Sequence, residues 1–153
     1  MTAIREQIHA RIKTVCEAID MPGLEVERNR HDPAVRSRTL VIHDGPHDRG
    51  DYQETGLDHF TARPLLIGLV RTADGSDPAP ILADLYVKVV KALFTDFNSA
   101  ATGALNSFAI DVREGSYQPV IDPEGSRDRI GQFTLEVEVD FQTAEGRPDQ
   151  VAD

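Results

Sequence analysis

The sequence is poor in the features that mark secreted and membrane-spanning proteins. Cys16 is the only cysteine in 153 residues, which excludes an internal disulfide and is typical of a reducing compartment. No apolar run approaches the roughly eighteen residues that a membrane span needs. The first residues, MTAIREQIHARIK, carry charges and lack the apolar core of a secretory signal. We therefore expect no membrane partner, and we expect Cys16 to be a buried, inert thiol.

Positive charge is also scarce. The chain has 16 Lys and Arg against 26 Asp and Glu, a formal net charge of −10. Proteins that grip nucleic acid need a basic surface for the phosphates. The composition therefore argues against a nucleic-acid-binding protein, although such a chain can lie beside DNA that it must not hold.

The sequence motifs of common enzyme classes are missing as well. There is no GxSxG, no P-loop, no GxGxxG, no HExxH and no CxxC. A nucleophile with its base cannot be picked out. We therefore expect a protein that is not an enzyme and that uses no cofactor.

The clearest pattern that is present lies in GQFTLEVEVDF, residues 131–141. Apolar and polar residues alternate, which predicts a β-strand with one buried face. The apolar face consists of Phe133, Leu135, Val137, Val139 and Phe141. The other face carries Glu136, Glu138 and Asp140, and adjacent like charges on one face cost about a few tenths of a kcal/mol. An exposed face needs only polar residues, so a face kept negative is typical of a surface that repels anions, such as a passage for DNA.

Two segments have the period of amphipathic helices. In residues 3–20 the apolar stripe is Ile4, Ile8, Ile12, Val15 and Ile19, and Pro22-Gly23 ends the helix. In residues 79–96 the main stripe is Leu82, Leu85, Val89 and Leu93. A second row widens it, which indicates burial on more than one side of this helix.

The remaining pattern predicts short strands at 24–30, 39–45 and 108–115, with a longer extended segment in 56–73. Pro64 favours a sheet edge or a bulge within that segment. We predict a single α+β domain over residues 1–142, with a mainly antiparallel sheet and two helices packed on one face. Residues 143–153 have little apolar content, which predicts a disordered tail.

Residues 43–59 are rich in possible metal ligands. They are His43, Asp44, His47, Asp48, Asp51, Glu54, Asp58 and His59. Histidine and carboxylate ligands suit zinc or a two-metal hydrolase. The ligands crowd into a segment rich in Gly and other turn residues, whereas metal sites draw theirs from rigid elements. A solvated polar loop is the default interpretation, with a small metal-dependent hydrolase as the alternative.

Four arginines gather locally in this acidic chain: Arg28, Arg30, Arg36 and Arg38. They fit a solvated strand edge. They also fit a contact with a neighbouring subunit or partner that presents an acidic surface.

The order of these elements resembles that of the tail terminator proteins of long-tailed phages, similar to minor tail protein U of lambda-like phages and its relatives in gene transfer agents. The resemblance spans roughly residues 4–142. It depends most on LYVKVVKAL, residues 85–93, and on DPEGSRDRIGQFTLEVEVDF, residues 122–141. That family has no catalytic residues, so the resemblance implies none here.

The resemblance implies a ring of six identical chains that caps the tail tube, ends its polymerisation and forms the surface to which the head joins. Its partners would be the tail tube protein and a head-completion or stopper protein, at the neck of a virion assembled in the host cytoplasm. DNA would pass through the ring without sequence-specific binding. Glu136, Glu138 and Asp140 would then face a negative lumen or an acidic contact surface, and the arginines a neighbouring subunit or ring. A connector stopper or a tail completion protein is the alternative within this class.

Overall fold

The computed structural model describes residues 2–30, 37–50, 55–122 and 128–152. Two helices, α1 (Ile4–Glu17) and α2 (Ala79–Phe97), cover one face of an eight-stranded, mainly antiparallel sheet. The strands are β1 (Leu24–Arg28), β2 (Arg38–His43), β3 (His47–Arg49), β4 (Leu57–Ala62), β5 (Leu65–Thr72), β6 (Asp111–Ile121), β7 (Arg129–Ala144) and β8 (Arg147–Val151). The predicted α+β class and the helices on one face are confirmed.

The sixteen-residue strand β7 is the centre of the sheet. On one side it pairs first with β5 and then with β4, and on the other side it pairs with β6 and β8, all antiparallel. Strand β2 continues the sheet beyond β5, and β1 lies parallel to β2 at the end. Following the paired strands through β7 gives the order β1-β2-β5-β7-β4-β3.

Pro64 marks a break in the segment that the sequence predicts as one extended stretch. Strands β4 and β5 end and begin on either side of Arg63-Pro64, and both pair with β7. The carbonyl of Pro64 accepts a hydrogen bond from the backbone N–H of Val137 at 3.1 Å. Proline cannot donate to a ladder, so the break lets the chain pass this point without losing its alignment along β7.

The core lies between the helices and the alternating face of β7. All five apolar residues predicted for that face are buried. Ile4, Ile8, Ile12 and Cys16 of α1 and the predicted α2 stripe pack against them. Burial first, and the negative charge of Glu17 second, raise the pKa of the Cys16 thiol to about 12. Cys16 is therefore the inert core residue that the sequence predicts.

Gly68 lets the core close at its centre. It pairs with Phe133 across β5 and β7. A Cβ at Gly68 would lie 2.3 Å from Cε1 of the Phe133 ring. Because Gly68 has no side chain, the phenyl ring of Phe133 can fill the space at this position of β5.

The structure differs from the sequence predictions in three places. Part of the polar loop predicted within residues 43–59 forms β3, and β6 runs to Ile121 rather than ending near residue 115. The predicted disordered tail is wrong over 143–152: β7 continues to Ala144, and β8 folds back on it through Gly146 at φ 70°. The backbone hydrogen bonds of this hairpin hold it although its composition is polar. No helix in the described segments is both long enough and apolar enough to span a membrane.

Candidate functional site

The strongest concentration of charge lies on the face of the sheet opposite the helices, which we call the open face. The alternation of β7 places Glu136, Glu138 and Asp140 there, each partly exposed, while their neighbours point into the core. The open face therefore holds the three carboxylates that the sequence singles out.

Arg63, in the link between β4 and β5, joins two of these carboxylates. Its Nη1 lies 2.8 Å from Oε1 of Glu138 and 3.6 Å from Oε1 of Glu136. Its Nε donates to Oδ2 of Asp48 on β3 at 3.0 Å. The hydrogen bond to Asp48 has the largest effect in raising the pKa of Arg63, and the charges of Glu138 and Glu136 add to it. The break at Pro64 thus places a cation beside β7.

Arg113, on β6, joins the next pair. It stands opposite Glu138 in the β6–β7 register. Its Nη2 lies 3.1 Å from Oε2 of Glu138, and its Nη1 lies 2.6 Å from Oδ2 of Asp140 and 2.7 Å from Oδ2 of Asp111. Hydrogen bonds to Asp140, Asp111 and Glu138, in that order, raise the pKa of Arg113.

Asp140 is the most constrained of the carboxylates. The hydroxyl of Thr61 on β4 donates to its Oδ1 at 2.6 Å. Burial alone raises the pKa of Asp140, but the hydrogen bonds from Arg113 and Thr61 outweigh it and hold the pKa below its ordinary value. Asp140 is therefore ionised at neutral pH.

The two bridging arginines explain how β7 tolerates three like charges. Each guanidinium lies between neighbouring carboxylates and offsets their repulsion. The cluster still contains five carboxylates, those of Asp48, Asp111, Glu136, Glu138 and Asp140, for two guanidinium groups. The open face is thus a negative surface whose side chains are held in place, with bonding suited to electrostatic contact rather than proton transfer.

The arginines predicted as one basic cluster have separate roles in the structure. Arg28 is only 19% exposed and donates to both oxygens of Glu6 on α1 and both of Asp44 after β2. Arg30 is exposed and pairs with Glu27 at 2.6 Å. The Nη1 of Arg38 donates to the carbonyl of Pro22 at 2.9 Å. Arg36 lies outside the described residues.

The possible metal ligands of residues 43–59 are also separated. Asp44 binds Arg28, Asp48 binds Arg63, and Asp58 accepts from Arg49 and from the backbone of Gly146. His43 lies at the end of β2, His47 packs edge-on against Phe60, and His59 Nδ1 lies 3.2 Å from Nε2 of Gln142. Asp51 and Glu54 lie outside the described residues. Within the described part of this segment, as in the rest of the described chain, no three His, Cys, Asp or Glu side chains are placed to share a metal ion.

His9 is a buried polar residue that the sequence analysis did not single out. It is 1% exposed, and its Nδ1 donates to the carbonyl of Arg5 at 2.7 Å. Its Nε2 is buried and has no hydrogen-bond partner. Burial, before any other cause, lowers the pKa of His9. The position of His9 next to the isoleucine stripe of α1 is the only signal in the sequence that could have indicated its burial.

A shallow groove of about 470 Å³ lies between α1 and α2. Arg11 and Asp96 close one end with a salt bridge of 2.5 Å. Comparison of the sequence with known protein families and with curated proteins gives no match.

Proposed function

We propose that this chain is a structural protein of a long-tailed phage, the tail terminator. Six copies form a ring that caps the tail tube, ends its polymerisation and forms the surface to which the head joins. DNA passes through the ring without being bound by sequence. The ring lies at the neck of the virion and is assembled in the host cytoplasm.

The negative open face carries this proposal. A wall that faces moving DNA has to avoid binding phosphates. Fixed carboxylates repel phosphates over a Debye length of roughly 8–10 Å. Glu136, Glu138 and Asp140 are held by Arg63 and Arg113. The cluster holds five carboxylates for two guanidinium groups, so it stays negative overall.

The two-layer fold leaves that face available. The helices occupy the other side of the sheet, so the open face has no layer of secondary structure over Glu138 and Asp140 among the described residues. In a closed ring each carboxylate is repeated once per subunit. Six copies would thus form a band of negative charge around one wall.

Native mass tests this assignment. Six chains of 16.9 kDa give about 101 kDa for a closed ring. Light scattering against concentration, with and without magnesium, is expected to show a shift towards that mass. If only monomer is seen, preassembled tail tube is added and its elongation followed by electron microscopy. Monomer in solution together with continued tube growth would overturn the proposal.

The location in a virion separates the related alternatives. A terminator binds the end of the tail tube, whereas a stopper or completion protein binds the head side first. In pull-downs with each protein alone, a terminator is expected to retain the tube protein, whereas retention of the head connector without the tube protein would favour a stopper.

A further inference from the structure

The end of β6 is an apolar and uncharged part of a highly charged surface. Its last five residues, 117–121, read YQPVI. Val120 is 66% exposed, the largest value among the exposed large apolar side chains of the described chain, and Ile121 beside it is also exposed. This pair lies on the surface where the rest of the sheet carries ion pairs.

The backbone at this place is also unpaired. Strand β6 pairs with β7 along one side, and no strand of the described residues pairs with its other side. A free row of N–H and C=O groups is a template for a further strand, and proteins usually protect it with charged residues. Pro119 removes one donor, but residues 117–121 contain no charged side chain. The edge therefore fits an extended strand from another chain.

Strand β1 has the matching edge at the opposite end of the sheet. It pairs only with β2 among the described strands. It has five residues, the length of the uncharged end of β6. Through β2, β5 and β7 the pairings place β1 and β6 in opposite directions. Copies in the same orientation would therefore join by antiparallel pairing, the more stable kind.

On the helix side of the sheet, the side chains on the two edges are compatible. The register places Pro119 and Ile121 on the helix side of β6, where a joined sheet would bring them beside Leu24 and Val26. Pairing β6 with a second β6 would instead put two copies of Pro119 into one ladder, each without a donor. Residues 117–121 thus suit the edge of β1 better than a second copy of themselves.

We propose that residues 117–121 of β6 pair with β1 of a second copy of this chain, so that neighbouring sheets join edge to edge. This inference rests on the proposed ring and specifies its subunit contact. Such a contact is heterologous and repeats from copy to copy until it closes. It also keeps every open face on the same wall, which the negative lumen requires.

Disulfide trapping tests the pairing directly. Chains with Val120→Cys are mixed with chains carrying Glu25→Cys or Glu27→Cys, since all three positions lie on the open face. Cys16 can stay because it is buried. We expect a disulfide-linked heterodimer with at least one of the two partners on mild oxidation. A matched mixture with Val87→Cys, an exposed valine on α2, is expected to give none. A disulfide that forms only between two Val120→Cys chains, or no product at the highest soluble concentration, would overturn the pairing.

Charge insertion separates this inference from the ring itself. Val120→Glu places a carboxylate beside Glu25 and Glu27 of the joined sheet and is expected to abolish the species of about 101 kDa (six chains of 16.9 kDa), whereas Val87→Glu is expected to keep it. A ring that survives Val120→Glu would overturn the edge contact and leave the terminator proposal standing. Trapped heterodimers whose native mass differs from that of a hexamer would support the edge contact and contradict the sixfold ring.

Discussion

Arg113 on β6 stands opposite Glu138 on β7, and its Nη2 lies 3.1 Å from the glutamate Oε2. The same guanidinium reaches Asp140 at 2.6 Å. One cation thus bridges two carboxylates that lie two residues apart on the same strand face. The negative surface depends on this bridge, because without it the carboxylates repel each other across the face.

Arg113→Gln removes the charge of the bridge and keeps a polar, though shorter, side chain. We expect a loss of about 1 kcal/mol in the free energy of unfolding, because the pairs are partly exposed and screened. Urea denaturation measures it. Arg147→Gln, which loses a hydrogen bond to Gln150 at the surface, is the control and is expected to change stability by less than about 0.5 kcal/mol. Equal effects in both variants would contradict the role of the bridge.

Asp140 also makes an acid-dependent contribution. Its folded pKa lies below the ordinary value of 3.8, so its stabilisation is complete above that value and is lost as the pH falls through the folded pKa. Denaturation at a series of acidic pH values is expected to show a smaller loss in Asp140→Asn than in the wild type. A wild-type and a variant curve of the same slope in this range would argue against the depressed pKa.

His9 is expected to make stability depend on pH in a higher range. Burial holds the pKa of His9 in the folded chain below the ordinary 6.5. As the pH falls, the unfolded chain therefore binds a proton at this histidine before the folded chain does. Its contribution is therefore complete above about pH 6.5 and declines as the pH falls towards the folded pKa. Arg5, Glu6, Arg28 and Asp44 surround it and do not reverse the shift. His9→Gln should flatten the stability profile over this range, and an unchanged profile would contradict the burial argument.

Gly68→Ala should damage the core. The added Cβ would lie 2.3 Å from the Phe133 ring, and overpacking of this kind costs about 1–3 kcal/mol. Thermal denaturation is the measurement. The double variant Gly68→Ala, Phe133→Leu should be destabilised by less than the sum of the two single changes, because leucine leaves room for the methyl group. Additive losses would show that the two sites are not coupled.

Neutralising the open face tests its role beside DNA. In Glu136→Gln, Glu138→Gln, Asp140→Asn, the guanidinium groups of Arg63 and Arg113 lose most of their partners. We expect duplex DNA to bind this variant, with an affinity that falls as salt rises. Fluorescence anisotropy with a short duplex measures it, and the wild type is expected to show no binding. Absence of binding by the variant would contradict the repulsive role.

Arg30→Glu is the better test of the predicted subunit contact among the arginines. Arg30 is exposed, whereas Arg28 holds α1 against the end of β2 through Glu6 and Asp44. Charge reversal at Arg28 would disturb the fold itself, so its effect on assembly could not be interpreted. We expect Arg30→Glu to keep the unfolding midpoint and to weaken assembly more at low salt than at high salt. Unchanged native mass at both salt concentrations would exclude the contact at this residue.

Local patterns were sufficient to predict the main elements. The alternation in residues 131–141 gave β7 and its buried face, and the isoleucine stripe gave α1, because both signals come from residues near each other in sequence. The bridges were out of reach for the same reason. Arg63 and Glu138 are 75 positions apart, and Arg113 and Glu138 are 25 apart. Their meeting depends on strand register, which a single sequence does not reveal.

The failures at β3 and β8 have a common physical cause. Both are short polar strands, and β3 is fully exposed. Their backbones are paired by neighbours rather than by a buried side-chain face, so hydrophobic periodicity carries no signal for them. The arginines are a different case: Arg28 and Arg30 pair with different carboxylates within the chain, and composition does not show with which carboxylate an arginine pairs.

The central place of β7 has a consequence for how the chain folds. It is the seventh of eight strands along the sequence, yet β4, β5, β6 and β8 all pair with it. A chain emerging from the ribosome can pair β2 with β5 early, but most of the sheet waits for the last strands to be synthesised. The many contacts between distant residues favour slow folding. Until β7 arrives, the apolar side of β5 and the helix stripes stay uncovered, and this interval is when the chain is most exposed to aggregation.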